Sequence, residues 1–521
     1  MFDRLKVLLN KMKEVFRKNK KVLLIFIFAL IVRFIYLEDS VYFGYDEARD
    51  AYISQSIYKD FDIKLIGPPA NYPGLNHGPL HWYVNGIFYL LGNGSPYFAS
   101  VFYRILNASG VFLIYVVAKK LFDEKSATIS SFLYAVSFEQ SQYAIYMGNP
   151  SLAVLAVLVV FYGLTIFIKE KKYWGLYLTF AGWGIAFQLE FFLLYQVVII
   201  ALILLLNIKK VKNIAGKVWF VVALTVLLFS STYILAEVKY GFSMIKSLLN
   251  LLSTGYNVMP DGTSRIELYF RMLSQLINYN VVNLPETYSY ILLSILTILL
   301  FIFYRKNRNT LIVLLWIFST AIIIPFGAYN AFYVNVGVGL GIIIGISYII
   351  SLLPERLNAF KYLFVVLIII SNLFLIFSRN KNSLIVEIKA QPGMKLSDEI
   401  TLIDRIYEYA AGEQFTIRVT SMPYGIQTVW AYLFEYYGLE KYGNLPFWEG
   451  ENVLGYSGHL PLTKVGTTCK RVLIREPVRG IPEGLIKKDE TEENYFSEIV
   501  KEESIGLFKV QYRISKGECY K

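Results

Sequence analysis

The sequence predicts an α-helical polytopic membrane protein followed by a carboxy-terminal α/β domain outside the membrane. Of its 521 residues, 55% are hydrophobic and only 17% are charged. Mean hydropathy is +0.47, which excludes an ordinary soluble chain. Apolar runs that approach the roughly 20 residues needed to cross a bilayer lie near 22–37, 98–118, 126–142, 150–168, 174–189, 191–206, 218–236, 286–304, 310–326, 332–353 and 362–378. They amount to about eleven spans, several of them short.

The formal net charge of +12 is clustered. Arg4, Lys6, Lys11, Lys13, Arg17, Lys18, Lys20 and Lys21 precede the first span. Later groups are Lys119-Lys120, Lys169-Lys171-Lys172, Lys209-Lys210-Lys212-Lys217, Arg305-Lys306-Arg308 and Arg356-Lys361. They occupy every second loop, as the positive-inside rule requires for a cytoplasmic amino terminus in a plasma membrane. The surplus charge thus reads as topology with membrane lipids as its partners, and calls for no nucleic acid. No small-residue cleavage site follows Leu37, so the first span reads as a retained anchor. Phe2, Leu5, Leu9, Met12 and Phe16 recur near helical spacing among lysines, the pattern of an amphipathic helix on the inner surface.

The chain accordingly divides into a cytoplasmic amphipathic amino terminus at 1–21, a membrane domain at 22–378 with large outer loops 38–97 and 237–285, and an extracytoplasmic α/β domain at 379–521. Within the first loop, Asp46–Tyr58 reads as helix and Gly67–Gly78 as a Gly/Pro-rich turn region. Pro79–Leu91 reads as a re-entrant or interfacial helix, because a crossing there would invert every later loop against the charge pattern. In the tail, Ser397 is expected to cap a helix carrying Ile400, Ile403, Ile406, Tyr407 and Ala410 on one face, ended by Gly412. Strands are expected at Phe415–Val419, Arg471–Ile474 and Leu507–Ile514, and a helix at Thr428–Tyr437 stopped by Gly438. Cys469 and Cys519, the two cysteines, fit either a disulfide or two free thiols.

The residues that could carry chemistry open the first outer loop: Gly44-Tyr45-Asp46-Glu47-Ala48-Arg49. Two adjacent carboxylates and an arginine delivered to a membrane surface are costly unless charge is used there. The plainer reading is an acidic first turn favoured by a helix dipole. Arg33 near the outer end of the first span, the Asp46-Glu47-Ala48-Arg49 segment and the Pro79-Leu80 turn ahead of the second span together resemble a known family. They are similar to the GT-C-fold polytopic glycosyltransferases, in particular the protein O-mannosyltransferase and aminoarabinose transferase group called glycosyltransferase family 39. The likeness covers roughly residues 20–170.

That resemblance implies a GT-C-like fold, a polyprenyl-phosphate-linked sugar as donor, and transfer to a lipid, glycan or protein acceptor at the outer leaflet. It makes Asp46 the expected base, with Glu47 beside it. The chemistry is coherent, since an attacking hydroxyl needs a carboxylate to take its proton, and a single displacement inverts the anomeric carbon. The leaving lipid phosphate needs cations or donors, for which Arg49, His77, His81, Arg104 and Arg33 are candidates. Where aminoarabinose transferases carry an acid, a lysine and two prolines, this chain has Asn76-His77-Gly78-Pro79-Leu80, so aminoarabinose is not implied.

His77 and His81 are spaced i, i+4, which on a helix would aim both at one divalent metal; a third ligand is not fixed by spacing, and the pair also reads as interfacial. Glu190 either lines the outer cavity or caps a helix. Asn149-Pro150 reads as a helix start. The competing functional class is a polytopic transporter or lipid flippase. Against it stand minimal inner loops and the collection of polar mass and the acidic motif on one face.

Overall fold

The computed structural model describes residues 19–70, 72–255, 263–326, 332–385, 391–462, 468–477 and 480–519. The amphipathic helix expected at Phe2–Phe16 lies outside the described residues. Every apolar run is helical over all or part of its length. The membrane domain begins with α1 (Lys20–Phe34), α2 (Tyr45–Lys59), α3 (Leu80–Leu91), α4 (Pro96–Leu121), α5 (Glu124–Val136), α6 (Phe138–Ile145) and α7 (Asn149–Glu170). It continues through α8 (Trp174–Leu189), α9 (Gln196–Leu206), α10 (Gly216–Lys239), α11 (Ser243–Thr254), α12 (Arg265–Asn280), α13 (Glu286–Tyr304), α14 (Asn309–Ile317), α15 (Val338–Leu352) and α16 (Asn358–Arg379).

By length and composition six helical segments can cross a membrane: Pro96–Leu121, Asn149–Glu170, Gly216–Lys239, Glu286–Tyr304, Asn309–Phe326 and Glu355–Asn382. Phe191–Leu206 and Val338–Leu352 are shorter apolar helices. With 12 residues, α3 is too short to cross. The run at 126–142 is broken. Ser137 accepts from the Gln140 amide and so caps α6, while the carbonyls of Tyr134 and Ala135 at the end of α5 accept from Arg33 Nη2 and Nη1 at 2.8 and 2.9 Å. A buried cation meets the orphan carbonyls of a helix end. Where α7 and α8 cross, a Cβ at Gly163 would stand 2.6 Å from Gly175 O. Only a missing side chain permits that approach.

The two ends of the bundle differ. At one, Lys169 Nζ donates to Leu121 O, Lys172 pairs with Glu170 at 2.6 Å and Lys210 Nζ donates to Ile168 O. At the other, the long loops and the tail meet: Tyr42 bridges to Lys395, Asn250 Nδ2 donates to Tyr72 Oη at 3.2 Å, and Tyr432 Oη donates to Gly94 O at 2.6 Å. The 237–285 segment, expected as a loop, contains α11 and α12.

The tail domain holds α17 (Leu396–Ala410), β1 (Phe415–Thr420), α18 (Thr428–Leu433), β2 (Phe447–Trp448), β3 (Lys470–Arg475), α19 (Glu483–Phe496), β4 (Ser497–Ile505) and β5 (Phe508–Ser515). Its sheet runs β2-β1-β3-β5-β4. The strands β1, β2 and β3 are parallel, and β5 lies antiparallel between β3 and β4. Phe415, Ile417 and Val419 alternate toward α17 and α18, where Tyr407 and Phe434 meet Phe415. Thr416, Arg418 and Thr420 face the opposite way.

Several expectations are corrected. The cap of α17 is Lys395, with Ser397 inside the helix, and Ala411 takes the left-handed position ahead of Gly412. Gly438 does not stop α18, which passes through a π-helical turn at Phe434–Gly438 and on through Leu439–Tyr442. Gly443, at φ 81°, ends it. Helix α19 was not expected, because Glu483–Phe496 has no apolar stripe. It docks through charge instead: Glu493 accepts from Arg471 Nε at 2.6 Å, and Arg418 pairs with Glu492 at 2.7 Å. Cys469 and Cys519 form a disulfide that joins the adjoining ends of β3 and β5.

Candidate active site

Gly44 precedes α2 in an extended conformation, and its backbone N–H donates to Glu47 Oε2 at 3.2 Å. The two neighbouring acids thereby take different roles. Glu47, 2% exposed, closes the helix start. The Asp46 side chain is 50% exposed and faces outward. Glu47 thus has a structural task beside the catalytic one expected for it, since its Oε2 satisfies an orphan donor of the first turn. Glu47→Gln keeps an accepting oxygen, so transfer should fall less than about tenfold, whereas Glu47→Ala should cost about 0.5–2 kcal/mol of stability. Thermal unfolding and transfer rates of the purified variants check both, and a Glu47→Gln enzyme as inactive as an Asp46 variant contradicts the assignment.

Arg49 lies one turn on from Asp46 and joins two carboxylates. Its Nη1 donates to Asp46 Oδ1 at 2.9 Å, and its Nε and Nη2 donate to Asp50 Oδ1 at 2.9 and 2.8 Å. Burial works to lower the pKa of Arg49, but Asp50 and Asp46 more than reverse this and hold it above its ordinary value. The guanidinium also lies 5.5 Å from the Tyr45 ring centroid. Asp50 is itself clamped from α3, where Trp82 Nε1 donates to its Oδ1 at 2.8 Å and His81 Nδ1 stands 3.4 Å from its Oδ2. His81 Nε2 meets Tyr103 Oη at 2.8 Å. The fork of an arginine held on one side by a buried carboxylate is oriented in advance.

His77 reaches the same region from the Gly67–Gly78 turn, where its backbone N–H donates to Pro68 O and its O accepts from Gly67 N. A Cβ at Gly78 would stand 1.8 Å from Gln188 Oε1, so the turn packs directly on the end of α8. His77 Nδ1 accepts from the Phe191 amide at 3.0 Å, which leaves the ring proton on Nε2. Burial first, and then His81 and Arg49, push its pKa down to about 3 against an opposing effect of Asp46. It is held neutral, with Nε2–H as its one side-chain donor.

Glu190 lies beside it, with Oε1 3.6 Å from His77 Nδ1 and accepting from the Phe192 amide. It caps the short 3-10 turn Phe191–Tyr195. The histidine pair does not share a helix face, because α3 begins at Leu80 and leaves His77 in the loop. Among the described residues no three His, Cys, Asp or Glu side chains group as a metal site.

Asp46, Arg49, His77, His81 and Glu190 thus gather in one place, and Arg104 and Arg33 do not. Arg104 is fully buried and donates to Ser100 Oγ, Ser40 Oγ and Arg33 O. Arg33 donates to Asn107 Oδ1 at 2.8 Å as well as to the end of α5. Both arginines tie α1, α4 and α5 together, because a buried guanidinium must fill its donors. Arg104 as a phosphate contact is corrected on that ground.

Sequence reading missed Asp50, although it follows Asp46 at i, i+4 with Arg49 between, a spacing that sets both acids on one helix face. It also missed Glu139, a charge inside an apolar run, whose Oε2 accepts from Asn280 Nδ2 at 2.7 Å. The arrangement offers an accessible carboxylate 2.9 Å from a pre-oriented cation, with a neutral imidazole nearby. It can accept a proton and stabilise a departing anion.

Residues 76–235 match the family model described as dolichyl-phosphate-mannose-protein mannosyltransferase. The matched stretch covers His77, His81 and Glu190 and begins after Asp46 and Arg49. No match is found among curated proteins. Among solved structures, ArnT from Cupriavidus metallidurans bound to undecaprenyl phosphate aligns over 95% of this chain and 98% of its own, at 13% identity and a TM-score of 0.56. The same protein in its apo state aligns over the same shares, at 14% identity and a TM-score of 0.58. At this identity the likeness is one of fold, and it extends through the membrane helices into the tail domain. The chain is a polytopic membrane glycosyltransferase of the GT-C fold, similar to the protein O-mannosyltransferase and aminoarabinose transferase group.

Proposed function

We propose that the chain transfers a sugar from a polyprenyl-phosphate donor to an acceptor hydroxyl by a single inverting displacement, with Asp46 as base. The observation that carries this is the half-exposed Asp46 carboxylate held 2.9 Å from Arg49. The acceptor oxygen attacks the anomeric carbon as its proton passes to an Asp46 oxygen. The bond between that carbon and the phosphate oxygen breaks, and polyprenyl phosphate leaves with the electron pair. Arg49 meets the growing negative charge, and His77 Nε2–H adds one neutral donor.

Retention by a covalent intermediate would need a second carboxylate open to the sugar, whereas the Asp50 side chain is 5% exposed and bonded to Arg49 and Trp82. The undecaprenyl phosphate bound by ArnT from Cupriavidus metallidurans supports a lipid phosphate as carrier. Basic residues at the opposite end of the bundle support an extracytoplasmic site in a plasma membrane.

Purified protein incubated with a panel of radiolabelled polyprenyl-phosphate sugars and membrane extract tests the reading. The expected result is label in a covalent product together with free polyprenyl phosphate. Label moved across proteoliposomes with no covalent product would instead make the chain a transporter.

A further inference from the structure

Helix α2 presents a second functional face. Tyr45, Arg49, Tyr52, Ser56 and Lys59 recur at i, i+4, i+7, i+11 and i+14, a single stripe along one side of the helix. The stripe faces the tail domain: the Tyr45 ring lies 5.9 Å from that of Tyr456 and the Tyr52 ring 5.0 Å from that of Tyr432. It starts beside the Asp46–Arg49 pair. Its far half opens into a cleft of about 620 Å³ between α2 and the α18 segment, within the range of about 300–1,000 Å³ usual for ligand sites.

The chemistry of the cleft is mixed in a particular way. Tyr52 and Tyr436 line it with partly exposed rings over the buried Tyr432, and Gln55, Asn93 and Glu435 supply amide and carboxylate groups. Tyr52 Oη donates to Glu435 Oε2 at 2.6 Å, and Gln55 Nε2 donates to Tyr432 Oη at 3.0 Å. Tyr432 and Tyr436 stack, with centroids 6.1 Å apart. Glu435 and Tyr436 belong to the π-helical turn Phe434–Gly438, a distortion frequent at functional sites.

Ring faces take up the C–H faces of a sugar, while carboxylate and carboxamide groups bond its adjacent hydroxyls. The lining contains four carboxylates against two lysines, which disfavours a phosphorylated or otherwise anionic ligand. An acyl chain would need a continuous apolar wall, and polar groups interrupt this one throughout.

We propose that this cleft is the acceptor subsite and that it holds an uncharged glycan, on the same helix as Asp46 and Arg49. This rests on the transfer reaction proposed above and narrows its acceptor to the saccharide class.

The test uses the full chain in nanodiscs on an array of uncharged glycans, with unglycosylated peptides and anionic lipid vesicles as comparison probes. Retention of one or more glycans is expected. It should fall at least about tenfold in Tyr436→Ala and Glu435→Gln and persist in Tyr436→Phe, which keeps the ring. Melting temperature and monodispersity of each variant show that it is folded.

Retention of no glycan, equal retention by all three variants, or retention of peptides or vesicles alone would overturn the assignment. Donor turnover by the wild type is read in parallel. Turnover without glycan retention overturns the cleft alone, whereas glycan retention without turnover overturns the transfer reaction and with it the acceptor role, leaving a glycan-binding cleft.

Discussion

Asp46→Asn is expected to lower sugar transfer by about 100- to 10,000-fold at saturating donor, the range for a lost general base, while the protein folds and binds donor as before. The amide nearly matches the carboxylate in size and can still accept from Arg49 Nη1, so the helix start is preserved. What it cannot do is take a proton. Because the side chain is 50% exposed and Glu47 independently holds the Gly44 amide, little stability depends on the charge. The measurement is the initial rate of product formation, paired with donor binding. A variant that transfers at the wild-type rate removes Asp46 from the mechanism.

Arg49→Lys is expected to reduce kcat by about 100- to 1,000-fold, comparable with loss of one strong donor to a developing anion. The substitution keeps a charge and loses the planar fork that spans Asp46 and Asp50. A lysine ammonium can satisfy one of the two carboxylates and leaves the other, or the departing phosphate, without its partner. Asp50 retains Trp82 Nε1 at 2.8 Å, so α2 stays docked on α3 and the loss falls on turnover. Rates with saturating lipid-linked sugar check this. A near-normal kcat with raised KM would show that Arg49 binds donor and transition state equally.

Much of the site could be read from local spacing. Asp46 and Arg49 stand three apart after a glycine, so one turn of helix is enough to bring them together. The different fate of Glu47 is also local, but it depends on backbone geometry at Gly44 that residue types alone leave open. Asp50 was legible as an i, i+4 acid, whereas Trp82, 32 positions away, meets it only through the packing of α3 on α2. Arg104 shows the limit most clearly. A charge at the end of an apolar run can face lipid phosphate or staple helices, and two of its three acceptors, Ser40 and Arg33 O, are far off in the chain.

In the fold, periodicity located the apolar runs and the strands β1, β3 and β5. It failed at the Ser137 break, because the Arg33 guanidinium that satisfies the ends of α5 lies about 100 residues earlier. It failed again at α19, whose buried side is charged and is held by Arg418 and Arg471. Burial there follows from ion pairing, which a search for apolar stripes does not register.

The most direct measurement is the anomeric configuration of the sugar in the product, read by NMR after transfer from a polyprenyl-phosphate sugar of known configuration. One accessible carboxylate and a second one locked by Arg49 and Trp82 predict inversion, with polyprenyl phosphate released in equal amount. Retained configuration, or release of the lipid phosphate with no glycosylated product, would contradict a single displacement assisted by Asp46.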